Sequence, residues 1–395
     1  NWKIFYDYHY VLKISFDQLF YYSELILQLI KKFRPTEIIV PETKKILINE
    51  YFVIDSKISV VKYLLQTLED TSIKIKISVV LPEQDKKFIN RWSSKVGNGI
   101  SNIELEEILK DRKIENFELI KGDITNERAV IKATKDQEIV LHLAALPFIP
   151  DSFYYPVDFF KVNTVGSMHV FWSAAKSKTV ETVINISTSE VYGSAQYTPM
   201  DENHPTSPYS TYAVSKLAAD RAAFTLHKES GFPVVILRPF NTFGPRYTEP
   251  YIIPEIIGQI LSGTKELNLG NVNSTRDFTF VSDTVKGLIK AAKEKKAVGE
   301  IINIGSQNEI RIRDLVTKLS KIAKIKTKIK RDESRFRPYD VNRLFCNNKK
   351  AKKLLKWKPT ISIDKGLKIT FDWSKKNKVT FSSPFTRFYY KKTSK

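Results

Sequence analysis

Four short apolar runs punctuate the middle of the chain: Phe117–Ile120, Ile139–Leu143, Thr182–Ser187 and Val234–Arg238. Runs of four to six residues bounded by polar or turn residues read as buried strands. Between them, Val162–Ala175 and Tyr212–Lys228 carry apolar residues at helical spacing, and Gly231 follows the second as a stop signal. Strands that alternate with helices predict an α/β fold with a parallel, doubly wound, Rossmann-like sheet. Before about Arg91 the pattern differs in style. Phe16–Phe33 and Ser56–Leu68 predict helices, Glu37–Val40 and Ile73–Leu81 predict strands, and no motif with a chemical role stands out. Beyond Asn241 the pattern loosens into a smaller mixed lobe, and after about Lys375 it becomes a charged tail. The expected organisation is therefore 1–90, an α/β segment; 91–240, the Rossmann-like domain; 241–375, a C-terminal substrate lobe interleaved with it; and 376–395, a basic tail.

Composition narrows this picture. With 395 residues, 42% apolar and 27% charged, the chain has ample material for a core, and wholesale disorder is excluded. The net charge is +21, but residues 331–395 alone carry 19 Lys and Arg against 5 acids. Aromatic residues are not interleaved there as a base-stacking platform requires, so nucleic acid is an unfavoured partner. A solvated lysine-rich surface and a small anionic ligand account for the charge better. Phe16–Ile30 is broken by Asp17 and Glu24 and is too short for a membrane span, which predicts a cytoplasmic protein. The single cysteine, Cys346, suits a reducing compartment and is expected to be buried and inert. The sequence opens on Asn1 with no Met before Met168, which reads as a processed, truncated or fragmentary start.

Two constellations carry chemistry. Tyr212 and Lys216 lie four apart on a predicted helix and share a face, so an ammonium could favour the phenolate and make Tyr212 a base. Tyr209 cannot play this part, because Ala213 stands four residues on. Thr188, Ser189 and Glu190 directly follow the buried run ending at Ile186, where open α/β sheets place ligands. Extended geometry there would point Thr188 and Glu190 to one side, a hydroxyl for orientation and a carboxylate for acid-base work. Either constellation alone is a common surface or strand-end pattern.

Together they resemble the extended short-chain dehydrogenase/reductase family, and within it the nucleotide-sugar 4,6-dehydratases. The resemblance runs firmly from Gly122 to about Lys375. It includes Gly122-Asp123, His142-Leu143-Ala144-Ala145, Thr188-Ser189-Glu190 and the Tyr212/Lys216 pair. It continues through Arg238–Arg246 and Thr275–Asp283 to Arg337-Pro338 and Leu354–Pro359. Glu190 sets the chain apart from the sugar 4-epimerases, which usually lack a carboxylate there. Ser189 is similar to the GDP-mannose and UDP-N-acetylglucosamine dehydratases and the UDP-glucuronate decarboxylases, where dTDP-glucose enzymes carry Asp. The runs around Ser187–Gln196 and Arg238–Arg246 look most like enzymes of the legionaminic-acid type.

What the resemblance implies is an NAD-dependent lyase forming a 4-keto-6-deoxy sugar nucleotide for surface polysaccharide. The implied catalytic residues are Thr188, Glu190, Tyr212 and Lys216. Asp123, Leu143, Ala144 and Ala145 join Tyr212 and Lys216 as implied NAD contacts, and Ser189, Asn241, Arg276 and Arg337 as implied substrate contacts. His142 is read as a strand residue, no metal site is implied, and the family's habit implies a homodimer through the Tyr212–Lys228 helix. A 4-epimerase, a UDP-glucuronate decarboxylase or an impaired sugar-nucleotide-binding fragment are the alternative readings.

One family feature is missing. The glycine-rich turn that holds the cofactor pyrophosphate has no counterpart, since none of the 14 glycines precedes Gly97. Residues 1–90 replace the first β-α unit. Three arrangements accommodate this: a fused or truncated reading frame, a segment that restores the missing strand, or a shell that only binds. Weak or absent NAD retention is the expectation.

Overall fold

The computed structural model describes residues 122–245, 251–337 and 339–377, together with the backbone of five short strands before them. The helices and strands expected within Phe16–Leu81 lie almost wholly outside the described residues.

The strand-like runs assemble as their apolar faces require. A five-stranded, all-parallel sheet is formed by β1 (Trp2–Phe5), β2 (Ile139–His142), β3 (Thr182–Ile186), β4 (Val234–Pro239) and β8 (Ile301–Ile304), in that spatial order. Side chains alternate across the sheet. On one face Val140, Val183, Val234 and Ile236 pack against helices α2 (Ser167–Lys176) and α3 (Thr211–Ser230). On the other, Leu141, Ile184, Leu237 and Ile302 pack against α5 (Val281–Lys293). The sheet is thus buried on both faces, which explains runs that are continuous rather than alternating.

β1 is a finding of the structure. Trp2–Phe5 pairs in register with Ile139–His142, so the edge position beside β2 is filled from the start of the chain. This is the arrangement in which the N-terminal segment restores the missing strand. Gly97 lies elsewhere: Val96–Gly97 pairs antiparallel with Ile48–Asn49.

Of the expected strand Phe117–Ile120 only Phe117 is described, in a two-residue strand, Asn116–Phe117, that pairs with Lys74–Lys76 and not with the parallel sheet. The helices differ from expectation at their boundaries. The helix expected over Val162–Ala175 begins as a π-helical turn, Lys161–Gly166, before α2. Asn163 explains the wider turn: its amide holds Leu146 through both backbone groups, at 2.6 and 2.9 Å, and donates to the Ser215 hydroxyl at 2.9 Å. α3 is capped by the Ser210 hydroxyl, which accepts from Ala213 N at 3.1 Å, and ends at Gly231, whose φ of 71° a side chain would resist.

Beyond Asn241 the described chain mixes short strands with helices. β5 (Asn241–Phe243) runs parallel to β7 (Thr275–Phe280), which pairs antiparallel with β9 (Glu309–Arg311). Beside them β6 (Glu266–Leu269) pairs with β10 (Lys328–Arg331), and helices α4 (Ile252–Leu261), α6 (Ile312–Ala323) and α8 (Ile363–Lys376) close the lobe. No helix among the described residues is long and apolar enough to cross a membrane.

Candidate active site

A cleft of about 320 Å³ opens at the carboxyl ends of β3 and β4, between the sheet and the C-terminal lobe. Thr188, Ser189, Glu190, Tyr212, Asn241, Arg276 and Arg337 all line it. Lys216 is buried one turn beyond Tyr212. The structure therefore brings together the residues singled out for catalysis and substrate.

Each is placed by local chemistry. The extended path expected after β3 stops at Thr188, whose hydroxyl accepts from Glu190 N at 3.2 Å and caps a 3₁₀ turn, Ser189–Tyr192. Thr188 and Glu190 reach the cleft through that turn and not through strand alternation. The turn ends at Gly193, with φ of 66°, where an added Cβ would lie 1.9 Å from the Ser207 carbonyl oxygen. Glycine there lets the loop preceding α3 lie against the end of the turn, which brings Tyr212 to the cleft. In the lobe, Asn241 is the register partner of Phe278, and Arg276 lies two residues before Phe278, so the three share one face of that small sheet.

The electrostatics depart from expectation at one point. Burial pushes the Tyr212 phenol above its usual range, a hydrogen bond from Thr188 draws it back, and the Glu190 carboxylate raises it further. Of the two groups expected to favour the phenolate, Lys216 and Thr188, the one that lowers it here is Thr188. Burial lowers the Lys216 ammonium to about 8, with Asp220 one turn on opposing the fall. Among the described residues no hydrogen bond or ion pair reaches that ammonium. His142 donates or accepts through Nε2 to the Ser167 hydroxyl at 2.7 Å, and burial lowers it to about 3, so it is a neutral strand residue. Cys346 is fully buried and its thiol is raised well above the ordinary value.

The positions implied for the cofactor divide. Ala144 and Ala145 follow β2 with almost no exposed surface, while the Leu143 side chain belongs to the core on the α5 side. One Asp123 oxygen is already engaged, accepting from the Thr125 amide and hydroxyl at 2.7 Å each. The buried Lys216 ammonium beside Tyr212, with no hydrogen bond or ion pair among the described residues, is a site that a polyhydroxyl group would complete, so the catalytic end fits NAD. The residues that follow β1, where a pyrophosphate turn belongs, lie outside the described residues, as do Arg246 and Pro338.

Sequence reasoning missed two parts of the site. Behind Lys216, Arg238 grips Asp220 through two bonds at 2.8 and 2.9 Å and donates to the Tyr192 hydroxyl at 3.0 Å, which donates to Asn303 at 2.7 Å. The spacing Tyr212, Lys216, Asp220 was the available signal, a third polar residue on the same helical face. The far wall, with Glu255, Arg335 and Asp340, was also missed; Asp340 stands three residues after Arg337.

A family model described as GDP-mannose 4,6 dehydratase matches residues 84–370. Human dTDP-D-glucose 4,6-dehydratase is 33% identical over 271 residues, which cover 67% of this chain and 76% of the relative. UDP-glucuronate 4-epimerase of Thermodesulfobacterium geofontis is 33% identical over 270 residues, covering 67% of this chain and 82% of that protein. Among solved structures, a UDP-glucuronic acid 4-epimerase from Bacillus cereus, in complex with UDP-glucuronic acid and NAD, has a TM-score of 0.64 at 27% identity. That likeness covers 80% of this chain and 96% of the other.

Proposed function

This chain belongs to the GDP-mannose 4,6 dehydratase family of nucleotide-sugar dehydratases and epimerases, and from that premise we propose that it is an NAD-dependent nucleotide-sugar 4,6-dehydratase. The observation that carries the reading is one cleft lined by Thr188, Glu190 and Tyr212 on the sheet side and by Asn241, Arg276 and Arg337 on the lobe side.

Tyr212 is the base for the sugar 4-hydroxyl, with the Thr188 hydroxyl favouring its phenolate. NAD⁺, when bound, supplies a hydride acceptor and a positive ring whose charge offsets the burial that holds the phenol up. Lys216, Tyr212, Asp123 and the small Ala144 and Ala145 would hold it. Once C4 is a ketone, the C5 proton is acidic, and Glu190 is the carboxylate that takes it and passes it to the departing C6 hydroxyl, which leaves as water. Return of the C4 hydride to C6 and of a proton to C5 would then give the 4-keto-6-deoxy sugar. Ser189 orients the sugar. Asn241, whose carboxamide oxygen is buried without a partner among the described residues, accepts from a substrate hydroxyl. Arg276 and Arg337 hold the diphosphate, for which the guanidinium fork is suited.

The equal likeness to a UDP-glucuronate 4-epimerase supports a second reading, C4 inversion without loss of water. Glu190 favours dehydration, because inversion at C4 needs no base at C5. The discriminating experiment incubates the chain with NAD⁺ and UDP-N-acetylglucosamine, GDP-mannose or dTDP-glucose in turn. A 4-keto-6-deoxy product is expected from one of them, and Glu190→Gln should abolish it while sparing C4 oxidation. A C4 epimer from any of these sugars, with no 4-keto product, would establish the epimerase instead.

A further inference from the structure

The arginines of this cleft and its surroundings are held in two ways. Arg238 closes on Asp220 at 2.8 and 2.9 Å, Arg343 on Glu309 at 2.7 and 2.8 Å, and Arg335 on Glu255 at 2.8 Å. These are the lengths of committed charge-assisted bonds. Arg276 and Arg337 are different. Both turn to one oxygen, Asp340 Oδ1, at 3.6 Å from Arg276 Nη2 and 3.4 Å from Arg337 Nη1. That oxygen also accepts from Val341 N at 3.0 Å. Neither guanidinium has closed on the carboxylate, and a single oxygen cannot satisfy two forks.

Arg276 is buried, and burial is the largest influence on its charge, with Glu190 and Asp340 opposing and Arg337 adding to it. Its Nη1 donates to the Thr275 carbonyl at 2.9 Å, but a buried cation whose one ion contact among the described residues is 3.6 Å long is incompletely compensated. A diphosphate presents several oxygens to the same two forks and would close both, so it displaces the Asp340 carboxylate from both arginines at once. The displaced carboxylate then stands close to the bound phosphates, like charge beside like.

We propose that Asp340 is a displaceable counter-charge that keeps the two arginines together in the empty cleft and limits its affinity for diphosphate. This rests on the reading of Arg276 and Arg337 as the diphosphate clamp. The role has a chemical sense. In the proposed reaction substrate and product carry the same diphosphate, so binding strength there is uniform along the reaction and adds nothing to the chemical step. Limiting it hastens product release.

The test measures binding of UDP, GDP, dTDP and inorganic pyrophosphate, with uridine, guanosine and thymidine as uncharged controls, to the wild-type chain, Asp340→Asn and Arg276→Ala. Asparagine keeps an oxygen for Val341 N and removes the charge. Asp340→Asn should bind the diphosphates about tenfold tighter, the scale of two partly exposed ion contacts, with slower dissociation. Nucleoside binding should be unchanged, and Arg276→Ala should weaken the diphosphates. Equal or weaker diphosphate binding by Asp340→Asn, or the same gain for nucleosides, overturns the counter-charge while Arg276→Ala still reports a clamp. If Arg276→Ala leaves diphosphate binding unaltered, or no diphosphate binds, the clamp itself falls and the counter-charge with it.

Discussion

At the scale of single residues, Lys216 shows how a functional group is held at a cost. Its ammonium is buried, has no bonded partner among the described residues, and is lowered from 10.5 to about 8. Below about pH 8 the folded chain carries the full penalty of a buried cation, on the order of 3 kcal/mol. As pH rises from about 8 towards 10.5, the unfolded chain keeps the proton that the folded chain has released, so stability gains with pH across that window. Lys216→Met should therefore raise the melting temperature at pH 7, and its advantage over wild type should shrink by pH 9.5, while 4-keto product disappears. Calorimetry at the two pH values checks this. A variant that is less stable at pH 7 would show that Lys216 is a structural residue.

At the scale of elements, the join between the turn after β3 and the loop before α3 decides whether Thr188 and Tyr212 meet. Gly193→Ala places a methyl against the Ser207 carbonyl and strains a left-handed backbone, which should cost about 1–3 kcal/mol and displace Tyr212 from Thr188. A fall in denaturation midpoint together with lost product formation is the expected pair of results. Normal activity would mean that the loop is free to move away. A second prediction concerns the other end of the cofactor. A side chain in a pyrophosphate turn obstructs backbone approach, and the residues that follow β1 include no glycine. NAD should therefore be lost during gel filtration, and stoichiometric NAD after that step would sink the idea.

The same scale shows what the sequence made legible. Tyr212, Lys216 and the unrecognised Asp220 lie on one helix, so their meeting is written in local spacing. Thr188 and Glu190 were located by the strand before them, although a 3₁₀ turn and not strand alternation aims them. Arg276 and Arg337 converge on Asp340 only because β7 and the loop before Val341 come together, a long-range outcome that periodicity does not record. Nor does the apolar pattern reveal that Trp2–Phe5 fills the sheet edge, since main-chain pairing to β2 needs no particular side chains.

At the scale of the whole molecule, the described chain leaves an apolar strip uncovered. Val157 is 62% exposed on Pro156–Phe160, a short helix packed against α3, and Val214 is 39% exposed on α3 itself. Phe160 and Val165 extend the strip. Exposed apolar residues gathered on adjoining elements mark an interaction surface, and a homodimer through α3 would bury them. The wild-type chain should run as a dimer in light scattering, and Val157→Glu with Val214→Glu should give a folded monomer. A monomeric wild type would leave the strip without this explanation.

The bonds behind α3 have a further consequence for how the cleft breathes. Asp220, Arg238, Tyr192 and Asn303 lace together the helix, β4, the turn after β3 and β8 through buried contacts of 2.7 to 3.0 Å. In the opposite wall Arg335 is held to Glu255 at 2.8 Å, but the stretch around Asp340 is tied by contacts of 3.4 and 3.6 Å. Opening motions follow the weaker ties, so amides of the loop around Arg337–Asp340 should exchange with deuterium well before those of α3. A bulkier sugar would then be admitted by movement of the lobe side, with Tyr212 and Glu190 staying in place, and changes in sugar tolerance would arise far from the residues that do the chemistry.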